Sequence, residues 1–322
     1  MGDGQPLSAP IVTSVGVVII QYGATGLDAL VASLRDVPAI GPILVVRNPR
    51  SPDETAGVPD GATLVVLDRN AGYSTAANVG RRHPALAALP YVLVVTQDAL
   101  LYPGCADALL GALTADASIA VAGPVLIDAA NDEAFMGGTR SRLGHVRHVR
   151  VAWPRAEPTR EPHPEPVDAT WIDGAVMLLR TAVAPAFDER FFLYVEDVAL
   201  CLAVRPSHRV VIVPTAVAAQ TSGMASRSGA HGYLLTRNHL LLGRGRHERF
   251  AVLFGLLRSG TSLAAQIARA VKPGGRRRHL RQAFGIVWGV LDGLRGVTGA
   301  PPPFLQRWGD ITSARTGRAP QG

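Results

Sequence analysis

The sequence predicts an α/β fold: a doubly wound, mostly parallel sheet with helices on both faces, plus a C-terminal helical appendage. Three observations carry this. Short β-branched runs alternate with helical patterns from residue 15 to residue 125. Those runs are apolar throughout rather than alternating, as strands buried on both faces are. The chain has 322 residues, 48% hydrophobic and 18% charged, so it can bury a large core and is no disordered polyelectrolyte.

Residues 1–14 read as a flexible N-terminus. Val15–Ile20 is the first strand, Leu27–Leu34 has helical spacing, and Ile43–Val46 and Thr63–Leu67 are the next two strands. A helix over Thr75–His83, a strand over Tyr91–Thr96, a helix over Cys105–Leu113 and a strand over Ile119–Val125 follow. The alternation then breaks. Residues 128–150 read as an irregular hairpin, and Trp153–Pro166 is a proline-rich charged loop. Strand patterns return at Val167–Ile172, Val176–Leu179 and Val210–Val213, with a short helix near Asp197–Val204 between the last two. One domain is expected over 15–240.

From Tyr233 onward the pattern is helical, and 241–300 is expected to form a basic amphipathic region. Phe250, Leu253, Phe254, Leu257, Ala264, Ile267, Ala268 and Val271 recur at three- and four-residue spacing, and Phe284, Val287, Trp288, Leu291 and Leu294 again share one face. Gly285, Gly289 and Gly293 lie four apart, which lets another helix approach closely. Pro301–Pro303 begins an expected flexible tail, 301–322.

Charge separates the two regions. Residues 241–322 hold 14 Arg or Lys against Glu248, Asp292 and Asp310, a local balance of +11, which leaves −4 of the total +7 for the first 240. A basic tail on a mildly acidic body points to an anionic membrane surface as partner. No aromatic-interleaved basic strand or helix-turn-helix pattern supports nucleic acid. Arg276–Arg278 beside two apolar-faced helices fits in-plane attachment to a bilayer, the alternative being a helical pair packed on the main domain.

The two cysteines form neither a disulfide framework nor a metal spacing, which fits a reduced cytoplasmic setting. Met1–Pro10 has no positive charge before an apolar run, and no uncharged apolar stretch approaches the length of a spanning helix. The expectation is a cytoplasmic protein that does not cross the membrane, attached peripherally to its inner face.

Four local patterns carry candidate chemistry. The first strand ends in Gln21-Tyr22-Gly23, and Asn70-Ala71-Gly72-Tyr73 leads to Asn78-Val79-Gly80. The fourth strand ends in Thr96-Gln97-Asp98. Trp171-Ile172-Asp173-Gly174-Ala175 is followed by Phe187-Asp188-Glu189-Arg190-Phe191-Phe192-Leu193-Tyr194-Val195-Glu196-Asp197. Adjacent carboxylates at a helix start point in different directions, so one of Glu196 and Asp197 can face a substrate; on their own they also simply favour a helix N-terminus.

These residues resemble the family 2 glycosyltransferases, inverting enzymes of the GT-A fold, and in particular their rhamnosyltransferase-like branch. The resemblance runs from about Val15 to Asn238 and is most specific over Gly174–Cys201. It implies a GT-A-type sheet and transfer of a sugar, such as rhamnose or another deoxysugar, from a nucleotide-sugar donor. The implied acceptor is a hydroxyl on a glycan, lipid-linked or small-molecule acceptor. Asp197 is then the base that deprotonates it, with Glu196 in support. Tyr22, Asn70, Gly72, Asn78, Asp98, Gly174, Ala175, Arg227 and Arg237 are the implied donor-binding residues. Asp98 stands where the family places a ligand of its divalent cation, Mg or Mn.

Five positions depart from the family pattern. Gly23 stands for an Asn, Arg47 for a nucleobase-contacting acid, Thr96 for an Asn or Asp, Ala199 for an Asp, and Gln220 for a metal-contacting His. The ligand set for a cation is weakened accordingly, and Arg47, Arg227 and Arg237 are candidates to supply the missing charge. The alternative reading is a non-catalytic relative that binds a sugar nucleotide or a partner. A nucleotidyltransferase is disfavoured, because neither a Gly- and Arg-rich loop after the first strand nor paired metal acids are evident.

Overall fold

The computed structural model describes residues 14–23, 26–35, 37–50, 54, 57–129, 134–140, 146–151, 165–220, 229–271 and 275–308. The first half alternates as its periodicity predicts. The elements are β1 (Val15–Tyr22), α1 (Asp28–Arg35), β2 (Ile40–Asn48), β3 (Ala62–Val66), α2 (Tyr73–Arg82), α3 (Pro84–Ala87), β4 (Tyr91–Thr96), β5 (Ala99–Leu101), α4 (Cys105–Ala115) and β6 (Ile119–Asp128). The second half comprises β7 (Ala134–Arg140), β8 (Val146–Val151), β9 (Val167–Asp168), β10 (Val176–Arg180), α5 (Glu196–Val204), β11 (Arg209–Gln220), α6 (Gly229–Gly245), α7 (Arg249–Val271), α8 (Arg276–Arg295) and α9 (Pro303–Trp308).

The main path of the sheet runs β3-β2-β1-β4-β10-β6-β11-β5, eleven strands in all among the described residues. Pairs β1–β2, β2–β3, β1–β4 and β6–β11 are parallel. Strand β10 is antiparallel to both β4 and β6. Alternate residues of β1 enter opposite cores: Val18 and Ile20 meet Tyr73 and Ala77 of α2, while Val17 and Ile19 share a core with Leu30 and Leu34 of α1. That period-two division explains why β1 is apolar throughout, and burying each such side chain contributes about 1.5–3 kcal/mol. The chain leaves β1 toward β2 on one side and returns as β4 on the other, so the order of strand addition reverses between the parallel neighbours β1 and β4. Ligands of open α/β sheets settle beyond the strands' carboxyl ends at such a point.

The structure differs from expectation in four places. The strand expected at Val167–Ile172 stops at Asp168, because Thr170 and Trp171 turn away to bond Gly138 of β7. Strand β5 escapes the sequence pattern because three residues cannot show a period. Residue 240, the expected domain boundary, falls inside α6, so α6 belongs with the helices that follow it. The tail expected from Pro301 instead begins with α9, whose Leu305 is fully buried and whose Phe304 packs edge-on against Trp288. Most of the proline-rich loop, the first 13 residues and the tail beyond 308 lie outside the described residues.

The three glycines of α8 are where α6 meets it. A Cβ on Gly285 would lie 2.0 Å from the Gly229 carbonyl oxygen, one on Gly289 2.6 Å from that of Tyr233, and one on Gly293 2.9 Å from Leu240. Helix α7 is long and apolar enough to cross a membrane by length and composition, with 23 residues and a mean hydropathy of 1.3 over its best window. Arg258 and Arg269 interrupt it, so no uncharged run of spanning length exists.

Candidate active site

The segment entering α5 is the most unusual backbone among the described residues. Tyr194 has φ 70° and Val195 φ 74°, left-handed values that L-residues rarely adopt and that a β-branched residue tolerates least. Strain of this kind costs on the order of 1–3 kcal/mol per residue and persists only where neighbours over-determine it. Here they do. The Asn238 amide of α6 donates to the carbonyls of Leu193 (2.9 Å) and Tyr194 (2.7 Å). The Tyr73 N–H donates to Phe192 (2.8 Å), and the Ser74 hydroxyl to Phe191 (2.7 Å). Gly72, at φ 86°, permits this approach, since a Cβ there would lie 2.2 Å from the Phe192 carbonyl oxygen.

This turn delivers Glu196 and Asp197 as the first residues of α5. Asp197 is half-buried and accepts from two backbone N–H groups, Val198 (2.7 Å) and Gly174 (3.1 Å). Burial raises its pKa to about 7, with the nearby Asp173 carboxylate adding to the rise and the backbone N–H groups opposing it. Glu196 is 4% exposed, and its Oε2 has no hydrogen-bond partner. Burial first, and the Asp197 charge second, hold its pKa well above the ordinary carboxylate range. The two carboxylates therefore differ: Glu196 is shifted toward its protonated form by enclosure, while Asp197, at about 7, is poised to take a proton.

The expected site residues divide into three groups. Gly174 and Ala175 lie beside Asp197: the Tyr73 hydroxyl donates to the Gly174 carbonyl (2.6 Å), and the Ala175 N–H to Asp173 (3.0 Å). Tyr22 and Asp98 lie at the carboxyl ends of β1 and β4, where the Tyr22 N–H donates to the Gln97 side chain (2.8 Å). Asp98 accepts from the Gln220 amide (3.3 Å), so the two positions that the family resemblance links through a cation do meet, through an amide hydrogen bond.

The second group serves the fold. Asn78 is 2% exposed and clamps Phe187 in both directions, with its amide also on Glu189 (2.9 Å). Asn70 closes its own turn by accepting from the Gly72 N–H (3.0 Å). Arg47 is 1% exposed and donates to Gln21 (2.7 Å) and the Gly57 carbonyl (3.1 Å). Arg237 is fully buried; its guanidinium donates to Asn238 (3.0 Å) and the Tyr233 hydroxyl (3.3 Å), and Tyr233 in turn donates to Asp292 of α8 (2.8 Å). Both guanidiniums are buried, and Nη2 of Arg237 has no hydrogen-bond partner. The third group is Arg227 alone, which lies outside the described residues.

Sequence reasoning missed Asn48, Arg50, Asp173, Tyr194 and Asn238 as parts of this region. Asn48 accepts from the Ala71 N–H (2.9 Å) and so holds the loop before α2. Arg50 is exposed at the carboxyl end of β2 and sits 5.2 Å over the Tyr22 ring, a cation at the mouth of the crevice. Asp173 was visible as a carboxylate inside the Trp171–Ala175 motif. Tyr194 likewise stood inside the Phe187–Asp197 motif, whereas Asn48, Arg50 and Asn238 have partners remote in sequence.

The residues present offer a divalent cation one carboxylate, Asp98, which is enough for Mg only where donor phosphates and water complete the shell. Asp98 is a single carboxylate bonded to an amide, Thr96 Oγ1 is buried without a partner, and among the described residues no three His, Cys, Asp or Glu side chains gather to hold a metal ion.

No family model matches the sequence, and no curated protein does. Three solved structures are similar in the course of the chain. S. aureus TarS 1–349 is 14% identical with a TM-score of 0.48, over 88% of this chain and 83% of that one. The same fragment in complex with UDP-GlcNAc gives 13%, 0.48, 88% and 83%. The mannosyltransferase PcManGT from Pyrobaculum calidifontis, in complex with GDP-Man and Mn2+, is 15% identical with a TM-score of 0.48, over 87% of each chain.

Proposed function

We propose that the protein is an inverting glycosyltransferase that uses Asp197 as its catalytic base. The observation that carries this is the placement of Asp197: half-buried at the start of α5, raised to about 7 and held by a strained turn beside Asp173. A carboxylate with a pKa near the working pH is what removal of a proton from a sugar hydroxyl requires. The motifs from Tyr22 to Asp197 that resemble family 2 glycosyltransferases support the same reading.

In the reaction, the acceptor hydroxyl oxygen attacks the anomeric carbon of a nucleotide sugar from the face opposite the diphosphate. The carbon–oxygen bond to the diphosphate breaks, its electron pair leaves with the nucleotide, and the hydroxyl proton passes to the Asp197 carboxylate. Gly174 and Val198 N–H groups hold that carboxylate in one orientation. Glu196, enclosed and shifted toward its protonated form, supports Asp197 as the acceptor of the proton. Arg50 above Tyr22 is the cation we place against the departing diphosphate. The donor sugar is a deoxysugar such as rhamnose by branch resemblance, and the acceptor a glycan, lipid-linked or small-molecule hydroxyl.

The test is Asp197→Asn, assayed for turnover and for donor binding. The variant is expected to lose roughly 10²–10⁴-fold in kcat while its affinity for the donor stays unchanged. A non-catalytic sugar-nucleotide-binding subunit would show no turnover in the wild type and no change in either quantity.

A further inference from the structure

Helices α7 and α8 are built inside out. The buried positions of α7 are Ala251, Ser259, Gln266 and Ala270, small or polar. Its large apolar residues point away: Phe250, Leu253, Leu257, Ile267 and Val271 are 50–83% exposed. In α8 the inner face is Gln282, Ala283, Gly285, Ile286, Gly289, Asp292 and Gly293, small or polar but for Ile286, while Leu280, Phe284, Val287, Leu291 and Leu294 are 39–46% exposed. The exposed residues of α8 recur every three or four positions and form one stripe; those of α7 do so in two stretches, Phe250 to Leu257 and Ile267 to Val271. A helix of a water-soluble domain turns its large apolar residues inward. Small residues between helices and large apolar ones outside are the packing that lipid surroundings favour.

The charges around these stripes identify what covers them. The C-terminus of α7 and the N-terminus of α8 are adjacent, as the His279–Gln266 hydrogen bond at 2.8 Å shows. That end carries Arg269, Arg276, Arg277 and Arg278, all exposed, and Arg249 and Arg295 are exposed at the other. We propose that α7 and α8 lie in the plane of an anionic lipid bilayer, with the apolar stripes at the acyl boundary and these arginines at the phosphates. A second copy of the chain would bring two strongly basic surfaces together, whereas anionic lipid complements the charge. Spanning is disfavoured for α7, because it packs against α8 and α6 and the exposed Arg258 lies within its length. The proposal does not depend on the glycosyl-transfer reading.

The test is sedimentation of the full chain with vesicles of phosphatidylcholine alone and of phosphatidylcholine mixed equally with phosphatidylglycerol. Wild type is expected to bind the mixed vesicles at least about tenfold more tightly than the neutral ones, and carbonate extraction is expected to release it. Leu253→Gln with Leu257→Gln, and separately Arg276→Glu with Arg277→Glu and Arg278→Glu, are each expected to lose that binding. These side chains are exposed, so circular dichroism and Tm are expected to match the wild type. Equal binding to both vesicles, no binding by a folded sample, or resistance to carbonate would overturn the proposal. So would a stable dimer in solution that the leucine variant dissociates, since a second copy would then be the occupant.

Discussion

Two adjacent carboxylates at the start of α5 have opposite duties because their surroundings differ. Glu196 is enclosed and unpaired at Oε2, whereas Asp197 is reached by two N–H groups and by solvent. The Glu196 pKa is raised on folding, so the folded state takes up a proton, and stability falls as pH rises above the ordinary unfolded value of about 4.3. Glu196→Gln removes this dependence without changing the side chain's shape. Its Tm is expected to exceed that of wild type at about pH 8 and to equal it near pH 4. A loss at pH 8 would contradict a neutral Glu196. Asp197 was legible in the sequence from its motif and its adjacent carboxylate, and so was its helix-start position. Its elevated pKa was not, because the Asp173 charge and the burial that raise it arise only when distant segments meet.

At the level of elements, periodicity located the strands and helices of the first half well, since each strand buried on two faces must be apolar throughout. It said nothing of direction: β10 reads like its neighbours yet runs antiparallel to β4 and β6. It also separated α6 from α8, although their glycine-lined contact makes them one packed unit. The consequence is a chain of hydrogen bonds from Asp292 through Tyr233, Arg237 and Asn238 to the strained turn before Glu196. Asn238 is thus a positioning residue. Asn238→Ala removes three hydrogen bonds, two donated to the turn and one accepted from Arg237, and is expected to lower stability by about 1–3 kcal/mol. It is also expected to shift the pH midpoint of kcat below 7, as the turn relaxes and Asp197 gains water. A lowered Tm with an unmoved pH profile would leave Asn238 a merely structural residue.

Across the whole molecule, the acidic first 240 residues carry the candidate site and the basic remainder carries the inside-out helices. Charge segregation and the three-four apolar spacing were readable from the sequence. Which face of each helix turns inward was not, because small and large residues exchange their usual places in α7 and α8. The account rests most heavily on a nucleotide-sugar site where the order of strand addition reverses between β1 and β4. The measurement that tests it most directly is calorimetric titration of the folded protein with dTDP-, UDP- and GDP-sugars, with and without Mg2+, Mn2+ or EDTA. Saturable binding of one donor is predicted, weakened roughly tenfold in Arg50→Ala, as loss of one charged hydrogen bond implies. Binding of no donor would contradict the glycosyltransferase reading itself.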